Sequence, residues 1–240
     1  MGVIAMASNK HRVMKNLITG MSGGALLMIS DWLMGALSSD NVANGIVQSS
    51  WTKMGAWRCE AGMLLAGVAA VLLFFGARDM IRVMKSTVAR KDPWSMRALQ
   101  AFEIGAIAIV VAELFIHVKG CMLPILYKRL YETSLMGADM LTIVEDVFFY
   151  MAIPYYVFSV IMIVCTSVPY MYQIWRGRLR VPKFFIALNP LVFWILGWIF
   201  RMFKVTFISN FSLAFVSFGI VMLFYGVLQH VMHAPSREEE

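Results

Sequence analysis

The sequence predicts an all-α fold, a polytopic membrane bundle of about six transmembrane helices, and three observations carry that prediction. Hydrophobic residues make up 60% of the 240-residue chain and charged residues 15%, with a mean hydropathy of +0.72. A soluble core of this size could not absorb so much apolar surface. The apolar residues fall in runs of about 20, the length that crosses a hydrocarbon layer about 30 Å thick. The 21 Lys and Arg residues sit mainly in short segments between those runs, so the net charge of +7 reads as membrane topology. No nucleic acid partner is expected.

The first span covers residues 17–37, after Lys10, His11, Arg12 and Lys15. A signal peptide has the same build, and Ala36-Leu37-Ser38 stands where a cleavage site would. Asp31 and Trp32 late in the run, together with its full spanning length, mark a retained helix instead. Gly20 and Gly24 form a Gly-x-x-x-Gly face for close helix packing, and the same face is where a homo-oligomer would form. After a polar connector, Trp51 and Trp57 bracket the second span, residues 57–77, in which Gly62, Ala66 and Ala70 recur every four positions.

Arg78, Arg82, Lys85, Arg90, Lys91 and Arg97 make the next connector the most basic in the chain, and Asp92-Pro93-Trp94 has the signature of a helix start. The third span, residues 98–117, contains Glu103, Glu113 and His117. Glu113 and His117 are four apart and therefore share a helix face. Residues 118–141 are broken up by Pro124, Lys128, Arg129, Glu132 and Asp139 and read as a short interfacial segment, not a span. The fourth span, residues 142–168, opens on Glu145 and Asp146, and Pro154 predicts a kink beside Tyr150, Tyr155 and Tyr156. A basic loop with Arg176, Arg178, Arg180 and Lys183 precedes the fifth span, residues 184–200, which carries an Asn189-Pro190 break. The sixth covers residues 207–228, and the tail with His230, His233, Arg237 and Glu238 to Glu240 is expected to fray. With no long linker or repeat, residues 1–240 make one integral membrane domain.

Six spans with an inner amino end place 14 of the 21 Lys and Arg residues on the inner side. This predicts a multi-pass protein of the cell membrane with both termini cytoplasmic. At a rise of about 1.5 Å per residue, Asp31 lies roughly 21 Å from the inner surface and Glu113 roughly 22 Å. Arg58 and Glu60 at the start of span two, Glu145 and Asp146 at the start of span four, and Arg201 at the end of span five share that outer layer, with His117 just above Glu113. Charged side chains within a span are costly, by about 2.5–3.5 kcal/mol each on insertion scales, so they face a bundle interior or a wet cavity. Asp31, Arg58, Glu60, Glu113, His117, Glu145, Asp146 and Arg201 are therefore the candidate pocket residues, with Asp31 and Arg58 as a candidate buried pair.

Other chemistry is thinly represented. Cys59, Cys121 and Cys165 are too few and scattered for a disulfide framework, although Cys59 and Cys121 fall on the same outer side. His230-x-x-His233 is half a metal site remote from the acids, and a zinc hydrolase needs about three converging ligands. No phosphate-binding loop, dinucleotide fingerprint or nucleophile elbow occurs, so no cofactor or metal is expected and no catalytic residue is assigned.

The stretch Gly20, Gly23-Gly24 and Ser30-Asp31-Trp32-Leu33, followed by Trp57-Arg58, resembles an uncharacterised family of bacterial multi-span membrane proteins with a glycine-rich first span ending in Ser-Asp-Trp-Leu. The likeness covers about the first sixty residues. It implies a six-helix type of integral membrane protein and adds weight to Asp31 and Arg58.

The function expected from these residues is binding or transport of a small molecule or lipid through an outward-facing polar pocket, with the lipid bilayer as the standing partner. Two alternatives remain open. One is an intramembrane enzyme in which Glu113 or Glu145 exchanges protons with a lipid-derived substrate, and the reading leans away from it. The other is an accessory or scaffold protein whose polar layer only fastens helices.

Overall fold

The first apolar run forms the second half of helix α1 (Gly2–Gly35), which ends two residues before the expected 37, in this computed structural model, which describes residues 2–88, 92–133 and 138–233. The polar connector that follows folds into a small hairpin of β1 (Ala43–Asn44) and β2 (Val47–Gln48), antiparallel, with Ala43 opposite Gln48 and Asn44 opposite Val47. Gly45 makes the turn at φ +59, a conformation that favours glycine. A single helical turn, α2 (Ser50–Lys53), leads into α3 (Ala56–Thr87). Arg78, Arg82 and Lys85 thus extend a helix past the expected span instead of lying in a loop. Arg90 and Lys91, like Arg237 and Glu238 to Glu240, lie outside the described residues.

Helix α4 (Pro93–Glu132) begins where the sequence placed a start: the Asp92 carboxylate accepts from Trp94 N–H at 3.1 Å, with Pro93 next to the cap. Its end is a correction. The helix runs on through Pro124 to Glu132, about 60 Å at 1.5 Å per residue, so residues 118–132 continue the third span's helix and are not a separate interfacial piece. Leu123 and Pro124 are buried against neighbours, and that packing carries the helix past a proline that removes one backbone bond. Helix α5 (Ala138–Trp175) likewise contains both Pro154 and Pro169 without a break.

The last third departs furthest from expectation. Residues 184–200 do not form one helix: a 3-10 turn (Lys183–Ala187) gives way to α6 (Pro190–Met202), whose cap Asn189 accepts from Leu191 N–H at 3.0 Å and Val192 N–H at 3.3 Å. At 13 residues α6 is about 20 Å long, short of a hydrocarbon layer about 30 Å thick. The sixth run divides into α7 (Thr206–Ser212) and α8 (Phe215–His233). Asn210 ties α7 to the end of α1, accepting from Leu37 N–H at 3.0 Å and donating to Leu37 O at 2.8 Å. Among the described residues five helices are long and apolar enough to cross a membrane: α1 from Asn9, α3, α4, α5 and α8.

Helix α1 packs chiefly on α3 and α8, α4 lies between α3 and α5, and α6 rests on α8. Small residues set the closest approaches. A Cβ on Gly76 would stand 2.6 Å from Gly20 Cα, and Cβ atoms on Gly20 and Gly24 would meet Phe224 and Val221 of α8 at 2.7 Å. The Gly20/Gly24 face is thus filled by a helix of the same chain. One core runs through Leu27, Leu73, Phe102, Ile109, Met162 and Phe224, while Val71, Ile107, Ile153 and Trp198 stand exposed on the outside. Such an apolar exterior suits lipid.

Candidate functional site

Asp31, His117 and Glu113 come together where α1, α4 and α8 meet. Asp31 is 8% exposed, Glu113 2% and His117 not at all. The i, i+4 spacing on α4 brings His117 Nδ1 to 2.7 Å from the Glu113 carbonyl and 3.8 Å from its Oε2. A carbonyl oxygen only accepts, so Nδ1 carries a proton. Nε2 then faces Asp31 Oδ1 at 3.3 Å, off the line of a good hydrogen bond. Nε2 is buried and has no hydrogen-bond partner there. Ser217 of α8 donates to Asp31 Oδ2 at 2.5 Å, and the neighbouring Ser30 donates to Gly62 O of α3 at 2.8 Å. Four helices are therefore joined through one short stretch of α1.

Glu113, like His117 through Nε2, keeps one buried atom outside this network. Its Oε1 is buried and has no hydrogen-bond partner. A buried acceptor left without a partner costs about 1–3 kcal/mol, more if charged.

Arg58 does not pair with Asp31. Its guanidinium lies over the carboxyl end of α1, donating through Nε to Leu33 O at 2.8 Å and through Nη2 to Ala36 O at 2.9 Å and Trp32 O at 3.3 Å. Those carbonyls are among the last four of a helix, which lack partners within it, and they form the negative end of its dipole. Glu60, Asp146 and Arg201 are exposed, and Glu145 is half-buried, its Oε1 beside Gly45 of the hairpin turn. The described geometry thus separates a closed centre of three residues from scattered outer charges.

Several polar groups carry no mark in the sequence. Lys119, 5% exposed, points its ammonium into rings of α5: 3.7 Å from the Tyr155 centroid, 4.3 Å from Phe148 and 5.8 Å from Tyr156. Near the other end of α3, Asp79 is fully buried, accepting from Asn16 Nδ2 at 2.5 Å and from Arg82, with Arg78 at 4.0 Å. The cue was Asn16 at the amino end of span one facing an Asp with arginines one residue before it and three after. Cys59 and Cys121 are free, buried and part of one small cluster with Met54.

His230 corrects the expectation of a frayed tail. It is 9% exposed within α8, and its Nδ1 accepts from Arg180 N–H at 2.9 Å. Just outside the helices, Asp92 holds Arg178 at 2.7 Å, Arg176 at 3.8 Å and Ser95 Oγ at 2.7 Å, and Arg178 and Ser95 keep its carboxyl well below the ordinary range.

Long apolar helices with a lipid-type exterior and a buried polar centre define an α-helical bundle protein of membrane type. The chain belongs to DUF6796, a family of unknown function whose profile matches residues 6–234. No curated protein and no solved structure matches it.

Proposed function

We propose that this chain binds a small organic or lipid solute beside the layer where α1, α4, α5 and α8 meet, with Asp31, His117 and Glu113 as the proton-exchanging groups behind it. The observation that carries the reading is Glu113: a carboxyl 2% exposed within an apolar helix, one oxygen without a partner. An acid that only fastened helices would have both oxygens held, as Asp79 does, and ionisable groups buried in spans mark substrate or proton paths. Lys119 and the exposed Glu60, Asp146 and Arg201 provide charge complementarity toward the outer side. The basic residues at the other ends of the helices support placing both termini in the cytoplasm of a cell-membrane protein.

The test uses protein purified without lipid stripping. Native mass spectrometry reads a retained small molecule, and a pH-sensitive dye inside proteoliposomes reads proton movement when an extract of that molecule is added. Wild type should retain ligand and move protons, and E113Q should do neither while keeping its melting temperature. Equal ligand retention and proton movement in E113Q would sink the reading and leave the centre as a helix fastener.

A further inference from the structure

The second site lies at the other end of the bundle. Lys10 Nζ of α1 approaches Met232 O of α8 at 3.4 Å, so the carboxyl end of α8 sits beside the amino half of α1, whereas Asp31 is near that helix's other end. There α5 stops at Trp175, Gly177 turns the chain at φ +69, and the 3-10 segment folds back toward α8. Between them is a cavity of about 660 Å³. Its walls are aromatic and aliphatic, with Trp175, Leu179, Phe184 and Tyr225 among them, and Arg180 and Lys183 also line it.

Two features make this more than an apolar cleft. Asp92, the acid that meets this loop, is committed to Arg178 and Arg176, and among the described residues Arg180 and Lys183 have no ion-pair partner. Both are exposed, and Arg180 is fixed through its backbone N–H to His230, leaving the guanidinium free to meet a ligand. Trp175 and Phe184 are 70% and 64% exposed, as aromatics at a membrane interface are.

A ligand matching both features needs an anionic head beside a long apolar body. We propose that this groove binds an anionic phospholipid, with the phosphate on Arg180 and Lys183 and an acyl chain along Trp175, Leu179, Phe184 and Tyr225. A zwitterionic lipid brings its own cation against the two side chains. A free phosphate ion would leave the apolar walls unfilled. This site goes beyond the Asp31 centre, and its test does not depend on that reading.

The experiment uses the full chain in a neutral detergent with phosphatidylglycerol or phosphatidylcholine carrying brominated acyl chains, which quench nearby tryptophans. The W175F variant isolates the share due to Trp175. A basic residue near an anionic lipid changes affinity about fivefold, so two predict half-quenching by phosphatidylglycerol at roughly one-thirtieth of the phosphatidylcholine concentration. R180Q/K183Q should quench alike with both lipids, and R180K/K183R, which keeps both charges, should retain the preference. Inorganic phosphate should not displace the lipid. Equal quenching by the two lipids in wild type, a preference surviving in R180Q/K183Q or lost in R180K/K183R, full displacement by phosphate, or quenching unchanged by W175F would each overturn the proposal.

Discussion

Replacing Arg58 by Met separates two accounts of the same residue. In the structure its guanidinium serves three carbonyls at the end of α1, at 2.8, 2.9 and 3.3 Å, while Asp31 is held by Ser217 and His117. R58M keeps the apolar stem and removes only the donors. Net contributions of about 0.5–1.5 kcal/mol per hydrogen bond would total about 1.5–4.5 for three, and partial exposure lets water recover some of this, so we expect a loss of about 1–3 kcal/mol. R58K should recover part of it, since an ammonium retains the charge at the dipole's end but not the planar fork. The assay is reversible unfolding in detergent, combined with hydrogen exchange at the amides following α1. The decisive variant is D31N/R58M. A buried Asp31–Arg58 pair would make the double change much milder than the sum of the singles, because each single leaves an uncompensated charge worth about 3–5 kcal/mol. The capping geometry predicts effects additive within about 0.5 kcal/mol. Strong rescue in the double variant would refute it.

Three further outcomes follow from the packing and charges. K119M should stay within about 1 kcal/mol of wild type in thermal unfolding, because a thioether recovers about 0.3–1.5 kcal/mol of the aromatic contact that an ammonium makes at about 0.5–2; a loss above about 2 would mean the ammonium has an anionic partner. G76A, whose new Cβ would press on Gly20 and Phe224, should lose about 1–3 kcal/mol, whereas G67A, with nothing within 4 Å, should be neutral or mildly stabilising when the two melting temperatures are compared. Asp92 has a lowered folded pKa, so its pairing with Arg178 contributes fully above the unfolded value of about 3.9 and is lost as pH falls below it. D92N should therefore melt earlier than wild type at neutral pH, with the gap closing only in strong acid.

What could be read from the sequence, and what could not, divides along physical lines. Apolar runs report burial in lipid directly, so the class of fold and four of the long helices were legible. Proline and charge mislead when tertiary packing overrides them: Pro124 and Lys128 suggested a break in α4, yet the helix continues because Leu123 and Pro124 are enclosed. Conversely, Asn189-Pro190 looked like a break within a span and is the start of a short helix, a distinction that depends on whether residues 183–187 can be helical before the proline. In the candidate site, the fixed geometry of i and i+4 brought Glu113 and His117 to one face, and arithmetic on helix rise set Asp31 at their depth. Partners that are backbone atoms leave no trace in a sequence. That is why depth alone pairs Arg58 with Asp31, and why Ser217, one serine in an apolar helix, carries no mark. Lys119 lies two residues past the end that the sequence predicts for the third span, so only the longer helix reveals it as buried.

The closed centre also constrains how it could work. Both oxygens of Asp31 are engaged, Nδ1 of His117 is fixed to α4's own backbone, and Nε2 faces α1. Asp31 and His117 thus hold α1 against both α8 and α4. Glu113 is under no such constraint, because its Oε1 touches no partner and its Oε2 is 3.8 Å from the imidazole. A proton can join or leave that carboxyl without undoing a contact between helices. The position two residues past His117, about 200° around α4 at 100° per residue, is Lys119, whose box of α5 rings lies on the opposite side. Helix α4 thus turns His117 toward α1 and its buried cation toward α5, and a turn of α4 about its axis would disturb both at once. Under the proposed proton exchange, Glu113 would supply the change in charge, and α4 is the element through which it would reach the rest of the bundle.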